Sequence, residues 1–165
     1  MSQPTGGRDL AGQIVRVLEQ REQTVAVAES LTGGLLGAAI TDIPGASLVF
    51  RGGIIAYATE LKAALLGVPA GLLASYGPVH PDVAAAMAAG ARDRLGATFG
   101  VATTGVAGPD PADGKPPGTV HIAVAAAATP VTRKLALQGG RDEVRRGTVE
   151  QALRLLWSVL WEEGP

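Results

Sequence analysis

The segment Thr24-Val25-Ala26-Val27-Ala28-Glu29-Ser30-Leu31-Thr32-Gly33-Gly34 decides the fold of this chain. Its first five residues, TVAVA, form a short run rich in small and β-branched side chains, which predicts a buried strand. Two glycines end the segment, and the apolar stretch that follows up to Ile40 predicts a helix. A strand that leads through a short turn into a helix is typical of an α/β protein.

The remaining chain continues this alternation of strands and helices. Apolar residues at helical spacing predict helices over residues 10–18, 35–40, 60–66, 70–75, 81–96 and 141–162. Further strands are predicted over residues 48–57, 98–103, 119–126 and 131–137. Gly52 and Gly53 indicate a bulge or a close backbone approach in the second strand, and the last two strands predict an antiparallel hairpin. This order predicts a three-layer α/β/α sandwich with a mixed, mostly parallel sheet.

The composition limits the chemistry that the chain can carry. Its 165 residues suffice for one domain, which we place at residues 8–165 behind a disordered leader of residues 1–7. The 29 alanines and 23 glycines predict a core of small side chains and closely approaching backbones. Because cysteine is absent, thiol nucleophiles, disulfides and thiolate metal sites are excluded. The only histidines are His80 and His121, so an enzyme with this sequence needs a base other than histidine.

The net charge and the hydropathy of the sequence limit the binding partners and the cellular compartment that we expect for this protein. The net charge is −1 and the pI is near 6.1, so we expect no broad basic surface for a nucleic-acid backbone. No segment approaches the roughly 20 apolar residues of a membrane span, and the first residues lack the apolar core of a signal peptide. We expect a cytoplasmic protein without nucleic-acid or membrane partners.

The carboxyl ends of two predicted strands are the expected place for a site, because ligands of α/β sheets bind there. Ser30 follows the first strand, and Gly33 and Gly34 open a helix whose free N–H groups attract a phosphate or an oxyanion. The simpler interpretation is that Ser30 or Thr32 caps the helix and that the glycines permit tight packing. After the third strand, residues 103–118 form either an exposed loop or one wall of a pocket shared with Ser30.

Lys62 is the candidate base in a chain that has almost no histidine. A lysine acts as a general base when burial or a nearby cation lowers its pKa. Ser–Lys pairs carry out nucleophilic catalysis without histidine. Taken alone, however, a lysine on a short helix is more often solvated, and that alternative stays open here.

The last helix carries two further features with alternative interpretations. Arg141 at its start either binds a phosphate or is solvated. Trp157 and Trp161 lie one turn apart and indicate either packing or a self-association surface. On the second interpretation we expect a homo-oligomer.

Several segments together resemble one family, the CinA C-terminal domain or nicotinamide-nucleotide amidohydrolase family. They cover nearly the whole chain in order: AESLTGG at 28–34, TDIPGAS at 41–47, GGIIAY at 52–57 with Lys62 downstream, LGVP at 66–69, TGVAGP at 104–109, KPPGTV at 115–120, and Arg141. Residues 110–113 depart from the family pattern, because they lack its run of glycines after the proline. The resemblance implies an α/β/α sandwich in the stand-alone form, without the molybdopterin-binding-like domain of larger members.

The resemblance also implies an activity and a set of site residues. The family hydrolyses the carboxamide of nicotinamide mononucleotide to nicotinic acid mononucleotide and ammonia, a step of pyridine-nucleotide salvage that needs no metal or other cofactor. By position, Ser30 is implied as the nucleophile and Lys62 as its base, with Tyr57 and Thr104 as their hydrogen-bonding partners. The implied substrate-binding residues are Thr32, Gly33, Gly34, Gly105, Gly108 and Arg141.

Two other functions remain open at this stage. A nucleotide-binding module without catalysis uses the same anion-binding loops, although a pure binder has no need of both Ser30 and Lys62. An esterase or phosphohydrolase acting on a related nucleotide is disfavoured, because phosphoryl chemistry usually recruits a metal through carboxylates and the sequence has no clustered acidic motif. Ammonia release from nicotinamide mononucleotide distinguishes the three functions.

Overall fold

Strand β1 (Val25–Glu29) is buried along its whole length, and its side chains alternate between the two faces of the sheet. Its valines pack in one hydrophobic core, whereas Ala26 and Ala28 pack in another. A strand between two helical layers requires this arrangement, in which both faces are apolar. The computed structural model describes residues 7–162.

Four more strands, six helices and one 3₁₀ turn (Ala46–Leu48) complete the described chain. The strands are β2 (Phe50–Ile55), β3 (Phe99–Gly105), β4 (Thr119–Ala125) and β5 (Val131–Ala136). The helices are α1 (Gly7–Gln20), α2 (Leu35–Thr41), α3 (Thr59–Leu66), α4 (Ala70–Tyr76), α5 (Pro81–Leu95) and α6 (Arg141–Glu162).

The sheet is mixed and mostly parallel, as predicted. Its strand order is β2-β1-β3-β4-β5, with β1 parallel to both β2 and β3. Strand β4 is antiparallel to its neighbours β3 and β5, so β4 alone among these strands runs opposite to the rest. The predicted hairpin of the last two strands is confirmed.

Helices cover both faces of the sheet and complete the predicted three-layer sandwich. Helices α1, α2 and α6 pack on the valine face, where branched and aromatic side chains form the larger core. Helices α3, α4 and α5 pack on the alanine face, where most of the buried residues are alanines.

Small residues on the alanine face let helix α5 lie directly on the sheet. A Cβ atom added to Gly100 of β3 would lie 1.9 Å from the carbonyl oxygen of Ala88 in α5. One added to Gly90 of α5 would lie 2.0 Å from the carbonyl oxygen of Leu66 in α3. No side chain fits at either position, and this close approach explains much of the alanine and glycine content of the sequence.

The bulge predicted at Gly52-Gly53 is present in β2. The pairing with β1 passes from Phe50 to Gly52, so Arg51 is the extra residue of the bulged strand. Gly52 has a φ of 140°, and a Cβ atom on Gly53 would lie 2.6 Å from a methyl group of Val27. Both the bulge and the close backbone approach are thereby confirmed.

Helices α1 and α6 pack together. Arg21 lies over the ring of Trp161 at 5.2 Å, and Trp157 meets that ring edge-on at 5.4 Å. Trp157 packs against the larger core, whereas Trp161 stays 45% exposed, and the homo-oligomer stays a prediction. Residues 1–6 of the predicted leader lie outside the described residues, whereas Gly7 is already part of α1. No helix within residues 7–162 is long and apolar enough to cross a membrane.

Candidate active site

Ser30 directly follows β1 and lies where the carboxyl ends of β1 and β3 meet. Its backbone N–H donates to the carbonyl oxygen of Thr103 at 3.1 Å, which continues the pairing of the two parallel strands up to the serine. Ser30 keeps 7% of its surface exposed. The sheet therefore places an accessible hydroxyl at the edge where ligands of α/β sheets bind.

Lys62 reaches Ser30 from helix α3. Its Nζ lies 3.0 Å from Ser30 Oγ, 2.7 Å from the carbonyl oxygen of Ala56 and 3.3 Å from that of Tyr57. A neutral lysine amine has two N–H donors and one lone pair. The two carbonyl oxygens accept the two donors, so the lone pair is left for the hydroxyl proton of Ser30. We call Ser30 and Lys62 the Ser–Lys pair.

Burial changes the protonation of Lys62, which is only 1% exposed. Removal from water disfavours the ammonium form and lowers the pKa of Lys62 from 10.5 to about 8. The carboxylates of Asp113 and Glu60 oppose this shift, because each favours the charged form. A fraction of the protein therefore carries the free base near neutral pH, and the alternative of a solvated lysine is wrong.

A cavity of about 230 Å³ opens beside the Ser–Lys pair. Its walls come from the strand ends, the start of α3, the connection before α5 and the loop after β3, so the predicted pocket between Ser30 and that loop is present. Within the described residues, no group of three or more metal-ligating side chains is found. The lining residues are Ser30, Leu31, Tyr57, Thr59, Lys62, Pro78, Val79, Thr104, Gly105, Val106, Ala107, Gly108, Asp110, Ala112, Asp113 and Arg141.

Glu29, which the sequence analysis did not single out, holds the turn between β1 and α2. Its buried carboxylate accepts hydrogen bonds from the backbone N–H groups of Gly34 at 3.2 Å, Leu36 at 2.8 Å and Gly37 at 3.0 Å. These are donors that the first turn of a helix leaves unpaired. A signal was available in the sequence, because an acidic residue at the end of a fully apolar strand is buried only when it is paired.

The structure corrects the predicted substrate-binding role of Gly33 and Gly34, whose N–H groups are engaged, whereas the role of Thr32 stays a prediction. None of the three residues lines the cavity. The hydroxyl of Thr32 bonds to a buried threonine of β3 at 2.8 Å. The N–H of Gly33 donates to the carbonyl oxygen of Ser30, and the N–H of Gly34 donates to Glu29. The physical reason is that the carboxylate of Glu29 already occupies the anion-binding end of α2.

The free hydrogen-bond donor beside Ser30 is the backbone N–H of the next residue, Leu31. Leu31 lines the cavity, and its backbone N–H has no hydrogen-bond partner within residues 7–162. The N–H of the residue that follows a nucleophilic serine is a frequent component of oxyanion holes. The N–H of Leu31, instead of those of the two glycines, is therefore the free donor that the turn offers beside Ser30.

Tyr57 and Thr104 line the cavity, but their hydroxyl groups do not contact the Ser–Lys pair, contrary to the implied role. The Tyr57 side chain is 57% exposed, and its hydroxyl accepts a hydrogen bond from Arg141 at 3.0 Å. Only the backbone carbonyl of Tyr57 meets the lysine. The Thr104 hydroxyl donates to the carbonyl oxygen of Pro78 at 2.7 Å. These hydrogen bonds, to Arg141 and to Pro78, orient the two side chains.

Gly105, Gly108 and Arg141 lie together on one wall of the cavity, as the resemblance implied. The guanidinium of Arg141 donates to the carbonyl oxygen of Gly108 at 2.6 Å. Gly108 has a φ of 88°, and a Cβ atom on Gly105 would lie 2.7 Å from the carbonyl oxygen of Thr119. Glycine at both positions lets the backbone form this wall.

The sequence model described as "CinA C-terminal domain" matches residues 7–160. This chain belongs to the CinA C-terminal domain family. A CinA-like protein of Frankia casuarinae is 55% identical over 157 residues, which are 94% of this chain and 36% of that protein. A CinA-like protein of Synechococcus sp. is 50% identical over 150 residues, 89% of this chain and 36% of that protein. The chain thus spans about a third of the length of these curated relatives.

Solved structures of the CinA family have the same fold. The competence/damage inducible protein CihA from Agrobacterium tumefaciens superposes with a TM-score of 0.90 at 37% identity, covering 96% of this chain and 99% of that one. A CinA superfamily protein from Escherichia coli superposes with a TM-score of 0.91 at 28% identity, covering 96% and 94%. Fold and family membership agree with the resemblance found in the sequence.

In this CinA domain, the loop of residues 110–115 carries a carboxylate into the cavity. Asp113 and Gly114 have φ values of 52° and 69°, and Ala112 and Lys115 exchange backbone hydrogen bonds of 3.1 and 2.9 Å around them. An Asp-Gly pair with two positive φ angles is typical of a tight two-residue turn. The sequence analysis did not assign a role to Asp113, since only the folded loop brings it near Lys62.

Replacing Lys62 by methionine tests its burial through the stability of the CinA domain. The unfolded chain binds a proton at Lys62 below pH 10.5, whereas the folded protein binds it only below about pH 8. The wild-type protein therefore gains stability as the pH rises between these two values. Relative to Lys62→Met, we expect it to gain about 2 kcal/mol between about pH 7 and pH 9.5, as measured by urea unfolding.

Lys134→Met is the matched control, because Lys134 lies exposed on β5. The difference in stability between wild type and this control should not change over the same range. If Lys62→Met and wild type show the same pH dependence, Lys62 is not a desolvated amine and this account of its pKa is wrong.

Proposed function

We propose that this domain hydrolyses the carboxamide of nicotinamide mononucleotide to nicotinic acid mononucleotide and ammonia, a step of pyridine-nucleotide salvage. The observation that carries the proposal is the 3.0 Å contact between Lys62 Nζ and Ser30 Oγ, made by a buried lysine beside a cavity. Serine–lysine pairs perform acyl transfer without a catalytic histidine. The resemblance of the chain to nicotinamide-nucleotide amidohydrolases supports the choice of substrate.

In the first half of the proposed reaction, the acyl group is transferred to Ser30. Neutral Lys62 accepts the hydroxyl proton while Ser30 Oγ bonds to the carboxamide carbon. The carbonyl oxygen becomes an oxyanion, and the N–H of Leu31 is the available donor for it, with a typical contribution of about 3 kcal/mol. The C–N bond then breaks, and the proton on Lys62 moves to the leaving nitrogen, which departs as ammonia.

In the second half, water resolves the ester on Ser30. Lys62 accepts a proton from the attacking water, and the ester C–O bond breaks. Lys62 then returns this proton to Ser30 Oγ, and nicotinic acid mononucleotide is released. One amine acts as base and then as acid in each half, which requires a pKa near the working pH.

The charged side chains of the cavity suit a nucleotide that bears both a phosphate and a cationic ring. Two N–H groups of Arg141 are engaged within the protein, and the others are available to a phosphate. Asp110 and Asp113 line the same cavity and favour a positively charged pyridinium ring. A bound cation also disfavours protonated Lys62, so the substrate itself increases the fraction of free base.

A nucleotide-binding module without catalysis is the alternative function. Such a module needs donors for a phosphate but no amine held against a serine. Burial of Lys62 costs the folded state free energy at neutral pH, and a binder gains nothing from that cost. The geometry of the Ser–Lys pair therefore favours an enzyme.

Ammonia release from nicotinamide mononucleotide, measured with a chelator present, tests the proposed function. We expect release by the intact protein, and a decrease in kcat of at least about 10³-fold in Ser30→Ala and in Lys62→Met. Ser47→Ala and Lys134→Met are the matched controls, because they remove an exposed serine and an exposed lysine away from the cavity. Both controls should retain activity.

Each possible failure of this assay has a separate meaning. No release by the intact protein contradicts the amidase function. Full activity of Ser30→Ala keeps the function but contradicts the acyl-enzyme. Loss of activity on addition of the chelator contradicts a reaction that needs no metal.

The pH dependence of kcat/KM tests the role of Asp113. We expect kcat/KM to rise up to about pH 8, where the free base of Lys62 becomes the major form. Because the carboxylate of Asp113 raises the pKa of Lys62, Asp113→Asn should move the acidic limb to lower pH. Asp110→Asn is the matched control, since this cavity carboxylate does not contribute to the shift. An unchanged limb in Asp113→Asn, or one moved to higher pH, refutes this assignment.

A further inference from the structure

Arg145 of helix α6 lies behind the turn that carries Ser30 and does not line the cavity. Its Nε donates to the carbonyl oxygen of Leu31 at 3.0 Å, and its Nη2 donates to that of Thr32 at 3.2 Å. The guanidinium is partly buried by these contacts. A planar fork that bonds two successive carbonyls is specific to arginine, because the ammonium of lysine is a single point charge.

All three carbonyl oxygens of the turn are engaged. Ser30 O accepts from the N–H of Gly33, Leu31 O accepts from Arg145, and Thr32 O accepts from both Arg145 and the N–H of Leu35. The N–H and C=O groups of a trans peptide point in opposite directions, so a carbonyl that is held in place also fixes the N–H of the next residue. The bond from Gly33 to Ser30 O therefore fixes the N–H of Leu31, and Arg145 fixes the N–H of Thr32 through the carbonyl of Leu31. The N–H groups of Leu31 and Thr32 have no partner among residues 7–162. The turn therefore keeps the carbonyls of Ser30, Leu31 and Thr32 bound and leaves the N–H groups of Leu31 and Thr32 free.

We infer that Arg145 is a positioning residue, which holds the peptide between Leu31 and Thr32 so that its carbonyl stays turned away from the oxyanion beside the Leu31 N–H. This inference rests on the proposed function. A flipped peptide in the turn would direct a carbonyl dipole at the developing negative charge and repel it. Because the oxyanion exists only after Ser30 has attacked, the effect of Arg145 falls on the transition state and not on substrate binding.

Three arginines lie in the first two turns of α6, each in different surroundings. Variants of these arginines can therefore be compared with one another as matched controls. Arg141 lines the cavity, and Arg145 holds the turn. Arg146 points to solvent, where it pairs with Asp142 at 2.8 Å. Arg146→Gln therefore removes the same charge from the same helix without touching the site.

Steady-state kinetics with nicotinamide mononucleotide separate positioning from binding. We expect Arg145→Gln to lower kcat about 10²-fold, the effect of one misplaced oxyanion donor, with KM within about threefold of wild type. Arg145→Lys keeps the charge and one of the two contacts, so its kcat should lie between those of Arg145→Gln and wild type. Arg146→Gln should match wild type, and thermal unfolding of each variant verifies that it is folded.

A second readout does not depend on the nucleotide. A fluorophosphonate probe bonds to Ser30 Oγ through phosphorus and releases fluoride, and its phosphoryl oxygen takes the place of the oxyanion. We expect Arg145→Gln to be labelled about 10²-fold more slowly than wild type. If wild type is labelled but releases no ammonia, the proposed function fails while the labelling rates still decide the role of Arg145.

Two results overturn the inference. One is a folded Arg145→Gln with wild-type kcat and labelling rate. The other is a raised KM at constant kcat, which would assign Arg145 to substrate binding. If Arg145→Gln does not fold, Arg145→Lys decides by the same criteria, because a folded lysine variant with wild-type rates in both assays contradicts the positioning role.

Discussion

The buried carboxylate of Glu29 is the interaction on which the site depends. It receives three N–H groups from the start of α2 and so joins the end of β1 to that helix. Charge-assisted hydrogen bonds of this kind are stronger than neutral ones, and together they offset the cost of burying the charge. Ser30 is the next residue and is held in place by this junction. The same carboxylate accepts the hydrogen bonds of the N–H groups at the start of α2. Only the free N–H groups of the turn after Ser30 are then left to bind an anion.

The small side chains of the alanine face explain how a lysine amine is kept from water. Helix α5 lies on β3 at Gly100 and meets α3 at Gly90, so the layer that carries Lys62 is held close to the sheet. The aliphatic part of Lys62 is buried in that layer, and its Nζ meets two carbonyl oxygens and Ser30 Oγ. This close packing requires the small side chains of the alanine-rich sequence, and it also lowers the pKa of Lys62.

The fold could be predicted from local patterns, since the Val/Ala alternation of residues 25–28 shows both faces of a buried strand. The pairing of Ser30 with Lys62 was predicted from the resemblance to the family, because the residues alone left a helix cap and a solvated lysine open. The identity of the free N–H groups could not be predicted. Which N–H groups are free depends on the hydrogen bonds that the carboxylate of Glu29 accepts. It also depends on Arg145, which bonds to Leu31 from 114 residues away in the sequence. Such contacts exist only in the folded chain.

A titration of Lys62 by NMR tests the central claim most directly, namely that burial makes this amine the base for Ser30. The chain has three lysines, Lys62, Lys115 and Lys134, so the ¹³Cε signals of labelled lysine resolve readily and Lys62→Met assigns the one of interest. We predict that this signal titrates with a pKa of about 8. A pKa at or above the ordinary value of 10.5 would show an ammonium ion at neutral pH and would contradict the account.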